Sequence, residues 1–260
     1  MKLFKLIRIT ILLLILIAVA FYTKHQKVKS RSWAQPLHVM LYPMNGDNNN
    51  PVVESYMRSL KEEDFSEIDE FFQRESQNFS IVTQQPTLTH LGKILTEYPP
   101  TEPTPESGVF SIITWSLKLR YWTFNHTPDA SENAQRVVVF LYYHEADKNR
   151  VLQHSLGLDK GLLTIVHAFA AKEQAAQNNI IIAHEILHTV GATDKYNPQN
   201  QPLFPSGYAE PDKQPLYPQT QAEIMSAHIP VSEEESRMAD NLNQCVVGQQ
   251  TALEINWVSR

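Results

Sequence analysis

The stretch AHEILHTVGATDKY, from Ala183 to Tyr196, spaces two histidines as a metal ion requires. Residues four apart on an α-helix are separated by about 400° of rotation and about 6 Å of rise. The side chains of His184 and His188 therefore project from one face, one turn apart, and two imidazoles can bind one ion. Zinc bound in this way needs a third protein ligand, and a catalytic site leaves the fourth position to water.

The residues around the histidines can supply the rest of such a site. Gly191 lets the chain leave the helix through a turn with positive φ, which brings Asp194 within reach of the same ion. Glu185 follows His184 directly, so its carboxylate would lie beside the metal rather than on it. A carboxylate in that place can take a proton from water and later deliver it to a leaving amine.

The simpler alternative is that His184 and His188 are half-buried histidines on an apolar helix. Apolar neighbours are expected in either case, because a metal-bearing helix at the centre of a domain is itself buried. These neighbours are Ile180, Ile181, Ile182, Ile186, Leu187 and Val190. The glycine and the aspartate in register after the second histidine make a chance match much rarer than for HExxH alone, and they favour the metal site.

The segment HEILHTVGATD resembles the extended zinc-binding motif of the metzincin-like zincin metallopeptidases, in the snapalysin-like variant whose third ligand is an aspartate. The similarity extends to Tyr196, which completes the Asp-x-Tyr of that variant. It also includes EIMSA, in which Met225 resembles the methionine of the Met-turn. The resemblance implies Zn²⁺ as the cofactor and peptide-bond hydrolysis as the activity. The residues that it implies are His184, His188 and Asp194 as ligands and Glu185 as general base and acid.

The sequence departs from that family at two points. Ala227 stands two residues after Met225, where some metzincins carry a tyrosine that ligates the metal. Tyr196 could take its place as a hydrogen-bond donor to the oxyanion, or it could be a packing tyrosine, and the sequence leaves both open. The proline-rich stretch between Asp194 and Met225 does not match snapalysin, so substrate specificity cannot be transferred.

The segments before the motif predict a buried sheet. Apolar alternation predicts a strand over Leu37 to Tyr42, and a weaker one over Thr87 to Leu95. The β-branched run from Arg136 to Tyr143 is typical of a central strand that is buried on both faces. Two further strands are predicted over Val151 to Leu158 and over Leu162 to Ala170.

Helices are predicted between these strands and around the motif. Asn50 and Pro51 are typical of the cap and first position of a helical region. A second helix is predicted from Gly108 to Trp122, and the motif helix from about Asn179 to Val190, with Asn178 or Asn179 as its cap.

Two predictions concern the chain after the motif. Asn197 to Pro218 contains six of the sixteen prolines and is expected to be a long ordered loop. Ser232 and Glu235 form a capping box, which predicts a last helix carrying Met238 and Leu242 on one face.

The expected fold class is therefore α+β or α/β: a mixed, mainly parallel sheet of the zincin or metzincin type, with an active-site helix and a C-terminal helix. An extended peptide substrate is expected to lie antiparallel along the exposed sheet edge, over Val151 to Leu158.

The other histidines are weaker candidates. His144 and Glu145 lack a second histidine four residues on, which favours a solvated strand end. His154 and His167 could face the cleft, but surface or core positions are favoured. His228, three residues after Met225, would lie near the site only if the Met-turn interpretation holds.

The first 31 residues predict a signal-anchor or a signal peptide, followed by one metallopeptidase domain over residues 32–260. The apolar run from Ile9 to Tyr22 lies between basic residues and is short for a spanning helix. Ala18, Val19 and Ala20 also fit a cleavage site, and cleavage would release a secreted protein. An anchored domain outside the cytoplasm, either periplasmic or extracellular, is the favoured expectation.

The composition excludes two classes of protein. A formal net charge of −6 leaves no basic stripe that could follow nucleic acid phosphates, so no nucleic acid partner is expected. The single cysteine, Cys245, cannot form an intramolecular disulfide or a thiolate cluster.

The expected function is a zinc-dependent metalloendopeptidase that acts on peptide or protein substrates and contacts the membrane through its N-terminal segment. Two alternatives stay open: a non-catalytic, membrane-tethered zinc-binding domain, and a cell-wall peptide amidase. The sequence does not indicate an oligomeric state.

Overall fold

The computed structural model describes residues 28–258, except for 80, 82, 102, 105, 128–134, 148–155 and 159–161. Of the first 27 residues it describes only Arg8, Thr10, Leu13 and Leu14, so the predicted anchor or signal peptide lies mainly outside the described residues. Within the described part, no helix is both long enough and apolar enough to cross a bilayer.

A five-stranded sheet forms the centre of the fold. Its strands are β1 (Leu37–Asn45), β2 (Thr87–Leu91), β3 (Arg136–His144), β4 (Leu156–Leu158) and β5 (Leu163–Phe169). The spatial order is β2-β1-β3-β5-β4, in which the first four strands are parallel and β4 is antiparallel to β5. The strand predictions are thus confirmed at the level of element type. Residues 151–155 of the predicted edge strand lie outside the described residues.

Helices cover both faces of this sheet. They are α1 (Pro51–Ser59), α2 (Ser66–Ser76), α3 (Val109–His126), α4 (Ala175–Thr189) and α5 (Gln249–Glu254). The start of α1 is confirmed, because the Asn50 side chain accepts a hydrogen bond from the Val52 amide and Pro51 occupies the first turn. The fold is therefore mixed α/β with a parallel central sheet, which confirms the coarse fold class.

Alternate residues of the central strand divide the interior into two cores. Val137, Val139 and Leu141 of β3 belong to a large core shared with α1, α2 and α4. Val138 and Phe140 belong to a smaller core on the opposite face, which α3 covers. The near-continuous apolar sequence of β3 follows from burial on both faces.

The motif helix begins four residues before the predicted Asn179. A short 3-10 turn over Lys172–Gln174 leads directly into α4, so the asparagines lie inside the helix. The Asn178 side chain bonds the backbone N–H and C=O of Phe169. Asn179 donates to the Asp64 carbonyl. The cap prediction was wrong because both amides make tertiary hydrogen bonds instead.

The helix predicted after Ser232 was also wrong. The Ser232 hydroxyl does accept from the Glu235 amide, at 3.1 Å, but this bond closes a turn between two strands. Further short elements of this region are β6 (Ala222–Glu223), β7 (His228–Pro230), β8 (Ser236–Met238), a 3-10 turn (Leu242–Gln244) and β9 (Cys245–Val246). Met238 pairs with His228 across β7 and β8. The chain ends instead with α5.

The proline-rich stretch from Asn197 to Pro218 is an ordered loop, as predicted. The Leu203 amide donates to the carbonyl of Lys195, and the carbonyl of Gly207 accepts from the buried Ser226 hydroxyl. These bonds attach the loop to the chain after the motif helix and to the turn around Met225.

Candidate metal and catalytic site

Helix α4 places the two motif histidines side by side at its C-terminal end. The Nε2 atoms of His184 and His188 are 3.0 Å apart, and the two rings are nearly perpendicular, with an interplanar angle of 82°. Both imidazoles lie largely inside the protein, with side-chain exposures of 9% and 18%. The helical spacing therefore brings two nitrogen ligands to one point.

The helix ends in a Schellman turn. The Gly191 amide donates to the carbonyl of His188, the Ala192 amide donates to the carbonyl of Leu187, and Gly191 has a φ of 103°. The prediction that Gly191 ends the helix in a left-handed conformation is confirmed. Gly191 also faces the guanidinium of Arg31, and a Cβ at this position would lie 1.2 Å from Nη2.

This turn returns the chain so that Asp194 meets both imidazoles. Its Oδ1 atom is 3.2 Å from Nε2 of His184 and 3.0 Å from Nε2 of His188. Burial alone would raise the pKa of the Asp194 carboxyl, but the two imidazoles beside it, in their protonated forms, lower it well below its ordinary value. Three potential ligand atoms from two segments of the chain thus form a small triangle.

Backbone carbonyls fix the orientation of both imidazoles. Nδ1 of His184 donates to the carbonyl of Ile224 at 3.0 Å, and Nδ1 of His188 donates to the carbonyl of Ala192 at 2.9 Å. A carbonyl can only accept, so Nδ1 carries the proton in each ring and a neutral ring presents a lone pair at Nε2. Metal-bound histidines commonly have this arrangement.

The turn that contains Met225 lies against the motif. Its side chain is fully buried, and its carbonyl accepts from the Lys195 amide. Ala227 has a φ of 56°, which lets the turn close tightly. The neighbouring Ile224 carbonyl is the one that orients His184. The turn therefore bonds the motif at two points, through the carbonyl of Ile224 to His184 and through the carbonyl of Met225 to Lys195.

A buried carboxylate holds this turn in place. Glu223 is fully buried and accepts from the amides of Met225 and Gly248 and from the hydroxyl of Thr251. Burial raises the pKa of its carboxyl, against the opposing effect of these donors. Because Glu223 is next to Ile224, it helps to fix the carbonyl that His184 needs.

Glu185 lies beside the triangle of ligand atoms. Its side chain is 5% exposed, and Oε2 is 3.4 Å from the Thr164 hydroxyl on β5. Burial raises the pKa of the Glu185 carboxyl, which the nearby imidazoles counteract in part. A desolvated carboxylate with a raised pKa is a stronger proton acceptor than one in water.

Tyr196 lies at the same site. The ring centroids of Tyr196 and His184 are 6.2 Å apart. Burial raises the pKa of the Tyr196 phenol to about 12, and the negative charge and hydrogen bond of Asp194 add to this effect. The hydroxyl consequently stays protonated at neutral pH and is available as a hydrogen-bond donor.

An ion pair clamps the loop that contains Asp194 to the C-terminal helix. Nζ of Lys195 is 2.7 Å from the Thr193 carbonyl, 2.7 Å from the Thr193 hydroxyl and 2.8 Å from Oε2 of Glu254 in α5. Glu254 also accepts from the Thr193 amide, at 2.9 Å. The residues on both sides of Asp194 are thus held by a residue some sixty positions later in the chain.

Among the described residues, the other candidate histidines, His144, His167 and His228, lie outside this group. His144 is buried rather than solvated: its Nδ1 is 2.8 Å from Oδ1 of Asp47 and its Nε2 is 2.9 Å from Nδ1 of His167. The expectation of a solvated strand end was therefore wrong for His144, because Asp47 follows the neighbouring strand β1 and binds it, whereas Glu145 is exposed as expected. His228 donates to the Ser226 carbonyl within the Met225 turn. His154 lies outside the described residues.

Most of the site residues that the sequence did not reveal have partners that are distant in the chain. These are Thr164, Lys195, Glu223, Ile224 and Glu254, whereas Ala192 bonds His188 only four residues away. Two of them act through a backbone carbonyl, which leaves no signal in residue type. Only the buried acid Glu223, next to apolar Ile224 and Met225, is unusual enough to attract notice from the sequence.

The donor set fits a transition metal ion. His184, Glu185 and His188 each offer a ligand atom, and these atoms lie within 4.8 Å of one another. Asp194 is closer to the two imidazole nitrogens, at 3.0 and 3.2 Å, and is the better third ligand because Glu185 is directed toward Thr164. Two imidazoles and one carboxylate are typical ligands of zinc.

Comparison of the chain with protein-family models gave no match, and comparison with curated proteins gave no significant similarity.

Proposed function

We propose that this chain is a zinc-dependent metalloendopeptidase with a zincin-type active site. The observation that carries the proposal is the triangle formed by Nε2 of His184, Nε2 of His188 and Oδ1 of Asp194, with separations of 3.0 to 3.2 Å. Tetrahedral zinc with bonds of about 2.0–2.1 Å separates its ligand atoms by about 3.3 Å. The three side chains need to move by only a few tenths of an ångström to fit the ion.

The donor chemistry supports the same conclusion. Because Nδ1 of each histidine is bonded to a carbonyl, the lone pairs at Nε2 are directed to one point. His184, His188 and Asp194 would hold the ion and leave a position open. When bound, zinc would lower the pKa of a water molecule and polarise the carbonyl of a peptide bond.

Glu185 is the proposed general base and acid. Its carboxylate lies beside the ligand triangle without belonging to it, and Thr164 holds one of its oxygens. In the first step it would accept the proton of the attacking water. It would then hand this proton to the nitrogen of the departing amine, which returns the carboxylate to its starting state.

Tyr196 is the proposed donor to the oxyanion that develops on the scissile carbonyl. Its hydroxyl is protonated at neutral pH, as an ordinary phenol is, and burial raises the pKa further, to about 12. It lies beside both Asp194 and His184, where a substrate carbonyl would bind. Met225 would provide the Met-turn of a metzincin-like site, in which the carbonyl of the neighbouring Ile224 orients His184.

The outer edge of β4, the last strand of the sheet among the described residues, is the proposed binding surface for an extended peptide. Gly157 of β4 pairs with Thr164 of β5, and the Thr164 side chain reaches Glu185. A peptide that adds to this edge would pass close to the catalytic carboxylate. The N-terminal part of the predicted edge, Val151 to Ser155, lies outside the described residues.

Two alternatives are less well supported. A structural metal site is normally closed by four protein ligands, and among the described residues only three surround the point where the imidazoles meet, with Glu185 set beside them. A cell-wall peptide amidase would use the same chemistry on a different substrate. We place the domain outside the cytoplasm, tethered by the apolar N-terminal segment.

The proposal is tested by a Glu185→Gln variant of the full chain, with Glu173→Gln as the matched control. Glu173 is exposed and lies just before the same helix. We expect one zinc per chain in all three proteins, and a fall in kcat/KM on casein and peptide libraries of about 10²- to 10⁴-fold for Glu185→Gln only.

Cleavage that persists in Glu185→Gln would remove this residue from its proposed role. Wild-type chain that binds zinc without cleaving any peptide would support the structural alternative. Cleavage of peptidoglycan stem peptides, with casein left intact, would support the amidase.

A further inference from the structure

Helix α3 exposes an apolar stripe to solvent. Five large side chains recur at steps of three and four residues and lie within about 80° of arc on one side of the helix. They are Phe110, Ile113, Leu117, Tyr121 and Phe124, and their exposures range from 51% to 87%. We call this set the α3 stripe. Isolated exposed apolar residues are ordinary, but a contiguous stripe of this kind marks a surface that binds something.

The opposite side of α3 already has a partner within the fold. Leu119 and Thr123 are buried, and Trp115 and Trp122 pack against the smaller core of the sheet. The α3 stripe is therefore a second apolar face of a helix whose first apolar face is already packed against the sheet. Burying it would require no change in how α3 packs on the sheet.

The charges on α3 indicate the kind of partner. The helix contains no aspartate or glutamate, although the whole chain has 28 of them. Lys118 and Arg120 lie on the two sides of the stripe, about 80° from Phe110 in opposite directions. The exposed Lys118 beside an apolar stripe that contains aromatic residues would suit the interface of an anionic bilayer, where apolar side chains enter the lipid and a cation meets the headgroups.

A second copy of the chain fits this surface less well. A two-fold axis through the middle of the stripe, near Leu117, would bring Lys118 close to its own counterpart. The helix has no acidic residue that could offset this repulsion. Anionic lipid headgroups would supply the missing negative charge.

The N-terminal sequence would hold the domain close to such a surface. The apolar run that ends at Tyr22 is predicted to insert into a bilayer, and Trp33 is already buried in the domain. The eleven steps between these residues can extend by at most about 38 Å. A domain of this size has a diameter of about 45 Å, so it cannot move far from the membrane.

We propose that α3 docks onto an anionic lipid bilayer through the α3 stripe. The metal-ligating helix α4 packs on the opposite face of the sheet, since its apolar residues belong to the larger core. Docking through α3 would therefore turn the candidate active site away from the lipid and toward the aqueous phase. The helix would lie on the bilayer rather than cross it.

Spin labels on single introduced cysteines test this proposal in the full chain. The one native cysteine, Cys245, is fully buried, so labelling is directed to the introduced residue. The test positions are Phe110→Cys, Leu117→Cys and Phe124→Cys, at exposures of 87%, 58% and 75%. The control is Val52→Cys, which is 51% exposed on α1, on the opposite face of the sheet.

The labelled chains are reconstituted into vesicles of phosphatidylcholine and phosphatidylglycerol. We expect the three α3 labels to be more accessible to dissolved oxygen than to a water-soluble nickel chelate, and the Val52 label to show the reverse. Nickel accessibility at α3 equal to that of the control would overturn the proposal, as would failure of the chain to bind the vesicles. Strong dipolar coupling between α3 labels of different chains would instead assign the stripe to a second copy. None of these results depends on zinc or on peptidase activity.

Discussion

The ion pair between Lys195 and Glu254 offers a quantitative test of how the loop with Asp194 is held. Lys195 is 4% exposed, and three oxygens lie within 2.8 Å of its Nζ. The Glu254 side chain is 18% exposed, so water reaches the pair from that side only. Glu254→Gln keeps the shape of the side chain but leaves a buried ammonium without a counter-charge.

The expected loss of stability follows from this difference in exposure between Lys195 and Glu254. Removing one partner of a buried ion pair costs about 3–5 kcal/mol, and partial access to water places Glu254→Gln near about 3 kcal/mol. Lys195→Met should cost less, about 1 kcal/mol, because the remaining carboxylate keeps its bonds from Thr193 and Gln250 and its contact with solvent. The double variant should be more stable than Glu254→Gln alone, because it leaves no unpaired charge.

Urea unfolding measures these differences. With a urea dependence of about 3 kcal/mol/M for a domain of this size, the midpoint should fall by about 1 M for Glu254→Gln. The effects of the two single variants should not add in the double variant. A midpoint for Glu254→Gln equal to that of wild type, or strict additivity, would refute the idea that this pair clamps the loop.

The same pair predicts a dependence on pH. Burial would raise the pKa of Glu254, but hydrogen bonds from Lys195, Thr193 and Gln250 lower it below its ordinary value of 4.5. A carboxylate with a lowered folded pKa contributes stability above its unfolded pKa, and this contribution is lost as the pH falls through the folded pKa. The stability difference between wild type and Glu254→Gln should therefore be full at pH 6–7 and shrink below about pH 4.5.

Three further predictions concern the candidate metal-binding segment and the turn that supports it. Gly191→Ala should lower the free energy of unfolding by about 1–2 kcal/mol or more, because φ is 103° there. Gly108→Ala is the control and should change this free energy little, because an added Cβ would meet open space. Urea unfolding distinguishes the two. Glu223→Gln should cost about 1–3 kcal/mol in the same assay, since an amide can replace only one of the two acceptor oxygens that three donors now share. With free zinc at about 100 times its proposed dissociation constant, addition of a chelator should lower the Tm of the wild-type chain by about 5–10 °C. The Tm of a His188→Ala chain should not change when the chelator is added.

The local geometry of the candidate site was the part of the molecule that the sequence predicted best. His184, Glu185 and His188 are positioned by the helical repeat alone, and Gly191 by its freedom to adopt positive φ. Asp194 follows within three residues, so a single local turn brings it to the imidazoles. Short-range geometry fixes all of these positions, and short-range geometry is what spacing encodes.

The strands were predictable for a related reason. β1, β3 and β5 lie inside a parallel sheet that is covered on both faces, so most of their residues must be apolar. This apolar composition is visible in the sequence. Element ends were less predictable, since Asn178 and Asn179 resemble caps but bond distant backbone groups instead. An amide near a helix start can satisfy either role, and the tertiary contacts of the fold decide between them.

The region after the motif could not be predicted from local signals because its short elements are held by long-range polar contacts. Buried Glu75 accepts from the Val247 amide, and Arg74 donates to the carbonyls of Leu242 and Cys245. These bonds join α2 to a segment about 170 residues later. The capping-box pattern at Ser232 is a local signal, and these long-range contacts override it. A hairpin and short turns therefore replace the predicted helix.

Local turns position the motif residues, whereas Glu223 and Glu254 act from distant parts of the chain, so variants of the two groups should behave differently. Variants of His184, Glu185, His188 and Asp194 should change metal binding or chemistry with little effect on the fold of the metal-free chain, because local turns position them. Variants of Glu223 and Glu254 should instead change the fold first, because these residues fix the carbonyl of Ile224 and the loop around Asp194 from a distance. The imidazoles need Nδ1 partners to present Nε2 to an ion, so a loss of zinc affinity in Glu223→Gln should follow its loss of stability. Zinc affinity that falls in this variant while its unfolding midpoint stays unchanged would show that Glu223 acts on the site by some other route.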